Sequence, residues 1–152
     1  MSRLGPALHW LVRLGLAGLF LYTGSLKLIE PGAFAAAIAN YRVLPEALVG
    51  IAAVGLPVLE LVVGAALLVP SYAQGAALLV ALLLSMFAAA MAQSKLRGID
   101  LDCGCFGADQ ASQVSWLKVT INLGLAILAV WTSRARLTLP LPKKPSSATA
   151  AP

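Results

Sequence analysis

The sequence predicts an all-α protein, a four-helix transmembrane bundle, and three observations support this. Of the 152 residues, 60% are hydrophobic and only 11% are charged, whereas about a quarter of the residues of a soluble domain are charged. Four apolar runs are long enough to cross a bilayer core of ~30 Å as helices, which takes ~17–25 residues each. Strand-like alternation is absent, and helices satisfy every backbone polar group within lipid.

The four predicted spans are residues 8–29, 47–69, 72–93 and 116–132, and they define a membrane domain over residues 1–133. The fourth span is at the short end of the range that a bilayer requires. Small residues recur inside the spans and are expected to let helices approach closely. They include Gly15, Gly18, Gly24, Gly55, Gly64, Gly75, Ala76 and Gly124.

The connections between the spans differ in character. Residues 30–46 contain Pro31 and an alanine-rich stretch, which is typical of a short helix at the membrane interface. Pro70 and Ser71 predict a tight turn between the second and third spans. Residues 94–115 form the longest loop and contain both cysteines. Residues 134–152 are rich in Pro, Ser, Ala and Thr, and we predict a disordered tail there.

The basic residues flank the apolar runs, which indicates membrane orientation rather than nucleic-acid binding. The net charge is +5, but Lys and Arg are not interleaved with aromatic stacking residues. We therefore expect contacts with anionic membrane lipid and no nucleic-acid partner. With four spans, both termini and the 70–71 turn share one side, which carries six of the eleven basic residues. This bias predicts cytoplasmic termini and a periplasmic 94–115 loop in a bacterial inner membrane.

The two cysteines are separated by one residue, as Cys103-Gly104-Cys105. A disulfide between them would close a very small ring with a bent backbone, which Gly104 permits. So short a loop gains little stability from a bridge, and a strained ring is reduced easily. Because disulfides persist in the periplasm, the two cysteines are a candidate redox pair that exchanges disulfides with another protein.

Other interpretations of the cysteines stay open. They could be structural or inert, either one could bond a partner protein, or they could be half of a metal site. A tetrahedral zinc site needs about four ligands, and the single histidine, His9, belongs to the first span and the opposite membrane side. We therefore predict no metal site.

Arg13 and Glu60 are charged residues inside predicted spans. Glu60 is ~13 residues into the second span, about 20 Å from its outer end. A carboxylate there costs roughly 2.5 kcal/mol or more, so such residues are usually paired or functional. Arg13 has the reach to meet it, and we predict a structural intramembrane Arg13–Glu60 pair, with a proton or quinone role for Glu60 as the alternative. Lys27, near the outer end of its span, is expected to extend to the interface.

Six segments, in their order along the chain, resemble the DoxX-like membrane proteins and most closely their methylamine-utilisation branch, the MauE family. They are residues 13–15, 22–28, 31–34, 41–45, 56–61 and 102–107, the last of which includes Cys103-Gly104-Cys105. The resemblance implies a four-helix membrane protein associated with redox and disulfide chemistry. It also implies a periplasmic thioredoxin-like partner and a role in maturing or exporting the disulfide-rich small subunit of methylamine dehydrogenase.

The function expected from these features is disulfide/thiol exchange at the periplasmic face, with Cys103 and Cys105 as the redox pair. Two alternatives stay open. A non-catalytic membrane anchor or assembly factor would hold a thioredoxin-like partner without using the cysteines. A quinone-coupled thiol oxidoreductase would pass electrons to the membrane pool, with quinone as its cofactor. The sequence indicates no other cofactor.

Overall fold

The computed structural model describes residues 4–97 and 115–134, with side chains from residue 7 onward. This part of the chain forms five helices: α1 (Leu4–Ile29), α2 (Pro31–Tyr41), α3 (Glu46–Leu68), α4 (Ala73–Leu96) and α5 (Trp116–Arg134). All of them except α2 are long and apolar enough to cross a membrane. The predicted all-α fold with four such helices is confirmed, and the chain is a multi-pass membrane protein. Cys103, Cys105 and residues 135–152 lie outside the described residues.

The helix bounds follow local sequence signals. Pro31 is in the first turn of α2, where its missing N–H needs no partner. Arg42 ends that helix in the left-handed conformation, with φ of 50°. The short helix expected between the first two spans is therefore present. Arg134, which the sequence assigned to the tail, is instead the last residue of α5.

The bundle consists mainly of two antiparallel helix pairs, α1 with α3 and α4 with α5. Buried side chains such as Leu16, Phe20, Val63, Val80 and Ala129 form the core between the pairs. The turn end of the bundle comprises the start of α1, the end of α5 and the 69–72 connection. The loop end comprises the end of α1, all of α2, the start of α3, and the ends of α4 and α5 that flank residues 98–114.

Two glycines bring α1 and α3 together. A Cβ atom on Gly24 would lie 3.1 Å from the Pro57 carbonyl oxygen and 3.2 Å from the Glu60 Cβ. A Cβ atom on Gly64 would lie 3.1 Å from the Leu21 Cγ. Five other glycines do not have the expected packing role in this bundle, because a Cβ there would meet no atom of another described helix within 4 Å. These are Gly15, Gly18, Gly55, Gly75 and Gly124.

The ends of α1 and α3 are staggered. Gly24 lies opposite Pro57 and Glu60, so Ile29, five residues further along α1, is level with about residues 52–55 of the antiparallel α3. The first turns of α3 therefore extend beyond α1, where α3 packs against α2. As a result, Glu60 is ~21 Å from the start of its own helix but only ~10 Å from the end of α1, at 1.5 Å per residue.

Candidate functional site

Lys27 and Glu60 form a buried ion pair between α1 and α3. The Lys27 Nζ donates a hydrogen bond to the Glu60 Oε1 at 2.6 Å, and the two side chains are 4% and 2% exposed. The same ammonium lies 5.1 Å from the ring centroid of Phe34 and 4.8 Å from that of Phe87. Aromatic faces at these distances attract a cation. The ion pair therefore joins α1 to α3, and aromatic rings from α2 and α4 enclose its ammonium group.

Glu60 retains one carboxylate oxygen without a partner. Its Oε2 is buried and accepts no hydrogen bond from the described residues. Buried polar atoms in native proteins are usually satisfied, and an exception points to a function or to an unseen ligand. The ammonium of Lys27 has three N–H donors, of which the structure directs one to Glu60. The pair can therefore both donate a hydrogen bond to a small molecule and accept one from it.

The predicted Arg13–Glu60 pair is wrong, and so is the expectation that Lys27 extends to the interface. The Arg13 Nε donates to the backbone oxygen of Leu67, in the last turn of α3. Leu67 is seven residues beyond Glu60, which is ~10 Å along a helix, so the guanidinium is held away from the carboxylate. The prediction measured the depth of Glu60 from the start of its own helix and therefore chose Arg13 as its partner. In the structure, the stagger between α1 and α3 places Lys27 next to Glu60 instead.

An apolar cavity of about 150 Å³ adjoins the ion pair at the loop end. Lys27 is its only charged lining residue among the described part of the chain. The exposed residues Val43 and Leu44 also line it, so the cavity reaches the surface of the bundle. The remaining wall is mostly apolar and includes Phe34, Tyr41, Leu56, Phe87, Ala90 and Met91. An apolar cavity of this size accommodates one six-membered ring.

The sequence-predicted site residues fall into three places. Glu60 is in the buried pair, and Arg13 of α1 contacts the end of α3 about two turns away from it. Cys103 and Cys105 lie outside the described residues, between helix ends that belong to the loop end. Sequence reasoning assigned Lys27 to the interface instead of to this pair, and it gave no role to Phe34 or Phe87. Gly24, one turn before Lys27, permits a close helix contact beside the pair, but other glycines of the spans make no such contact, so the sequence alone did not single it out.

Comparison with known proteins identifies relatives for most of the chain. The profile of the family described as methylamine utilisation protein MauE matches residues 5–134. Over 126 residues, the chain is 41% identical to methylamine utilization protein MauE of Paracoccus denitrificans and 37% identical to that of Paracoccus versutus. Each alignment covers 82% of this chain and 68% of the relative. The protein of the same name from Methylorubrum extorquens is 36% identical over 104 residues, 68% of this chain and 56% of the relative.

No solved structure matches the chain. The profile match extends from the start of α1 to the end of α5 and so includes Lys27, Glu60 and the residues around the cavity. Because this match covers most of the 152 residues, and two relatives exceed 35% identity over most of the chain, the chain belongs to the MauE family of methylamine utilisation proteins.

Proposed function

We propose that this protein is an inner-membrane component of methylamine utilisation that exchanges disulfides at the periplasmic face. In this proposal, Cys103 and Cys105 react with a periplasmic thioredoxin-like protein, and the pathway serves maturation of the methylamine dehydrogenase small subunit. The observation that carries the proposal is the Cys103-Gly104-Cys105 sequence, which contains the only two cysteines of the chain. Membership of a family named for methylamine utilisation supports the metabolic assignment.

The proposed exchange is a two-electron reaction between two cysteine pairs. The thiolate of one cysteine attacks the partner's disulfide and forms a mixed disulfide, with one partner sulfur leaving as a thiolate. The second cysteine of the pair then attacks the mixed disulfide. The Cys103–Cys105 pair ends as a disulfide and the partner as a dithiol, so two electrons and two protons have moved to the partner. The reverse sequence reduces the pair.

Replacing one cysteine at a time should trap the intermediate. In Cys103→Ser or Cys105→Ser, the mixed disulfide that forms through the remaining cysteine lacks its resolving thiol and should accumulate. Acid quenching of intact cells, alkylation and non-reducing electrophoresis would detect it as a reductant-sensitive adduct. The partner's own cysteines should shift in redox state at the same time.

The double variant Cys103→Ser/Cys105→Ser is the control and should form no adduct. A membrane-impermeant maleimide applied to intact cells shows which side of the membrane Cys103 and Cys105 face, because it labels their thiols only if they are periplasmic. If neither single variant forms an adduct and the partner keeps its redox state, disulfide exchange is wrong. Full function of both single variants would then support the non-catalytic anchor.

The cavity beside Lys27 favours a second function, which is thiol oxidation coupled to quinone. A quinone ring matches a cavity of about 150 Å³, and the Lys27 ammonium lines that cavity as a hydrogen-bond donor for a carbonyl oxygen. In the coupled reaction, the two thiols of Cys103 and Cys105 lose two electrons and two protons and become a disulfide. The quinone takes up both and becomes the quinol.

Filling the cavity should block this second function. The variant Ala90→Phe adds a ring to the cavity wall and takes up the space that a quinone ring would need, so we expect quinone affinity to fall about tenfold or more, which corresponds to ~1.4 kcal/mol. Oxidation of Cys103 and Cys105 by an added short-chain quinone, followed by alkylation gel shift in membranes, should slow accordingly. The matched control is Ala89→Phe, which places the same ring on an exposed position of α4. Equal rates in both variants and the parent would rule out quinone binding in this cavity.

A further inference from the structure

Two buried side chains at the turn end, Arg13 and His9, have polar atoms without a hydrogen-bond partner among the described residues. Arg13 is 1% exposed and His9 is 4% exposed. Both terminal nitrogens of the Arg13 guanidinium, Nη1 and Nη2, make no hydrogen bond within the described residues, and neither does the His9 Nδ1. Of the three guanidinium nitrogens of Arg13, the Nε donates a hydrogen bond to the Leu67 carbonyl. Three buried polar atoms on adjacent turns of α1 are therefore unsatisfied.

The contacts that Arg13 does make leave its charge uncompensated. The Trp10 ring lies 4.7 Å from the guanidinium carbon, and its face attracts the cation but accepts none of the in-plane N–H groups as a full hydrogen bond. The Leu67 carbonyl is one of the last four of α3, which lack partners within the helix. This carbonyl therefore offers Arg13 only the partial negative charge of a peptide group. A buried cation without a full counter-charge is strongly unfavourable, so this place requires an anion.

None of the six acidic residues in the sequence is expected at the turn end. Glu30 and Glu46 are next to helix ends at the loop end, and Glu60 is paired with Lys27. The other three acidic residues, Asp100, Asp102 and Asp109, are in the sequence between Arg97 and Ser115, two residues that lie at the loop end. The anion is therefore expected from outside the chain.

The surroundings indicate the headgroup layer as the source. Trp10 and Trp131 are 37% and 41% exposed, Tyr72 is 67% exposed, and all three are at the turn end. Indole and phenol rings concentrate at the membrane–water interface. The His9 ring packs against Trp131 with centroids 5.7 Å apart. Arg13 reaches the last turn of α3, so its guanidinium is close to the level where that helix leaves the hydrocarbon core.

We propose that His9 and Arg13 bind the phosphate of an anionic phospholipid headgroup at the turn end of the bundle. The two free guanidinium nitrogens can donate in parallel to two phosphate oxygens, which is the geometry that Arg provides and Lys does not. The imidazole can add one N–H in the tautomer that carries the proton on Nδ1. Trp10 lies over the guanidinium and is partly exposed, so a headgroup would have to displace this ring to reach the two nitrogens.

The test compares lipids of different charge on the purified full-length protein. Thermal unfolding in mixed micelles is measured with phosphatidylglycerol, with phosphatidylcholine at the same mole fraction, and with inorganic phosphate alone. Phosphatidylglycerol should raise the Tm of the parent protein by about 3 °C or more over phosphatidylcholine. Arg13→Gln and Arg13→Lys should lose most of this increment. Native mass spectrometry should detect a retained phosphatidylglycerol that both variants fail to keep.

Arg134→Gln is the matched control, because Arg134 is an exposed arginine at the same end of the bundle. It should retain both the Tm increment and the bound lipid. If Arg13→Gln does not fold, Arg13→Lys and His9→Gln decide. Equal effects of the two lipids on the parent, an unchanged increment in the Arg13 variants, or equal loss in Arg134→Gln would overturn the proposal. An increment reproduced by inorganic phosphate alone would overturn lipid as the ligand.

Discussion

Replacing Lys27 with Met should lower the free energy of unfolding by about 3–5 kcal/mol, because it leaves a buried carboxylate without its counter-charge. The side chain of Glu60 is 2% exposed and its Oε1 is bonded to Lys27. Met keeps most of the length and apolar volume of the lysine stem, so packing changes little. Unfolding by SDS titration in mixed micelles, followed by circular dichroism, would measure the loss.

The reverse deletion should be milder. In Glu60→Gln, the Lys27 ammonium is two residues from the end of α1 and can extend towards water at the loop end. Lys27→Met/Glu60→Gln removes both charges and should recover about 2 kcal/mol relative to the sum of the single losses. Glu46→Gln, at an exposed carboxylate in the first turn of α3, should change stability by no more than about 0.5 kcal/mol. Additive losses in the double variant would show that the pair is not coupled.

Gly24→Leu should destabilise the bundle by about 1–3 kcal/mol or more, because a side chain there has no room. Even a Cβ atom would lie 3.1 Å from the Pro57 carbonyl oxygen and 3.2 Å from both the Glu60 Cβ and the Leu61 Cδ2. The first neighbour is backbone and cannot rotate away, so α1 must move from α3. This movement also separates Lys27 from Glu60, which adds the cost of the broken pair. The SDS titration used for Lys27→Met applies here too.

Gly18→Leu is the matched control for this substitution. It makes the same change two turns earlier in α1, at an exposed glycine where a Cβ meets no atom within 4 Å. Helix propensity changes equally in the two variants, so the difference between them isolates the helix contact. We expect Gly18→Leu to be neutral or slightly stabilising. A Gly24→Leu variant as stable as Gly18→Leu would contradict the close approach of α1 and α3.

The sequence was sufficient to predict the four long helices, because the length and apolar composition of a segment decide whether it can cross a membrane as a helix. The spans at 8–29, 47–69, 72–93 and 116–132 each coincide with most of a described helix. The helices extend past some predicted spans, as α5 does by two residues to Arg134, because a helix can continue into polar residues beyond the hydrocarbon. Such boundaries are not marked by hydropathy.

The side-chain contacts between helices were harder to predict from the sequence, and the partner of Glu60 is an example. A buried carboxylate needs a cation, and Arg13 and Lys27 both belong to the neighbouring span. The choice depends on how far α1 and α3 are offset, which is set by α2 and by close contacts at Gly24 and Gly64. Small residues also occur at lipid-facing positions such as Gly18, so their presence alone does not identify the contact. The apolar cavity depends on four helices at once and has no local sequence signature.

The separation of the ion pair along the chain has a consequence during synthesis. Lys27 and Glu60 are 33 residues apart, so at about 5–20 residues per second the lysine is made roughly 2–7 s before its carboxylate. Until then the ammonium has no counter-charge and is best accommodated among the headgroups, with α1 displaced towards the loop end. Arrival of α3 supplies the carboxylate and draws α1 inward. The first helix should therefore reach its final depth only after the third has been inserted.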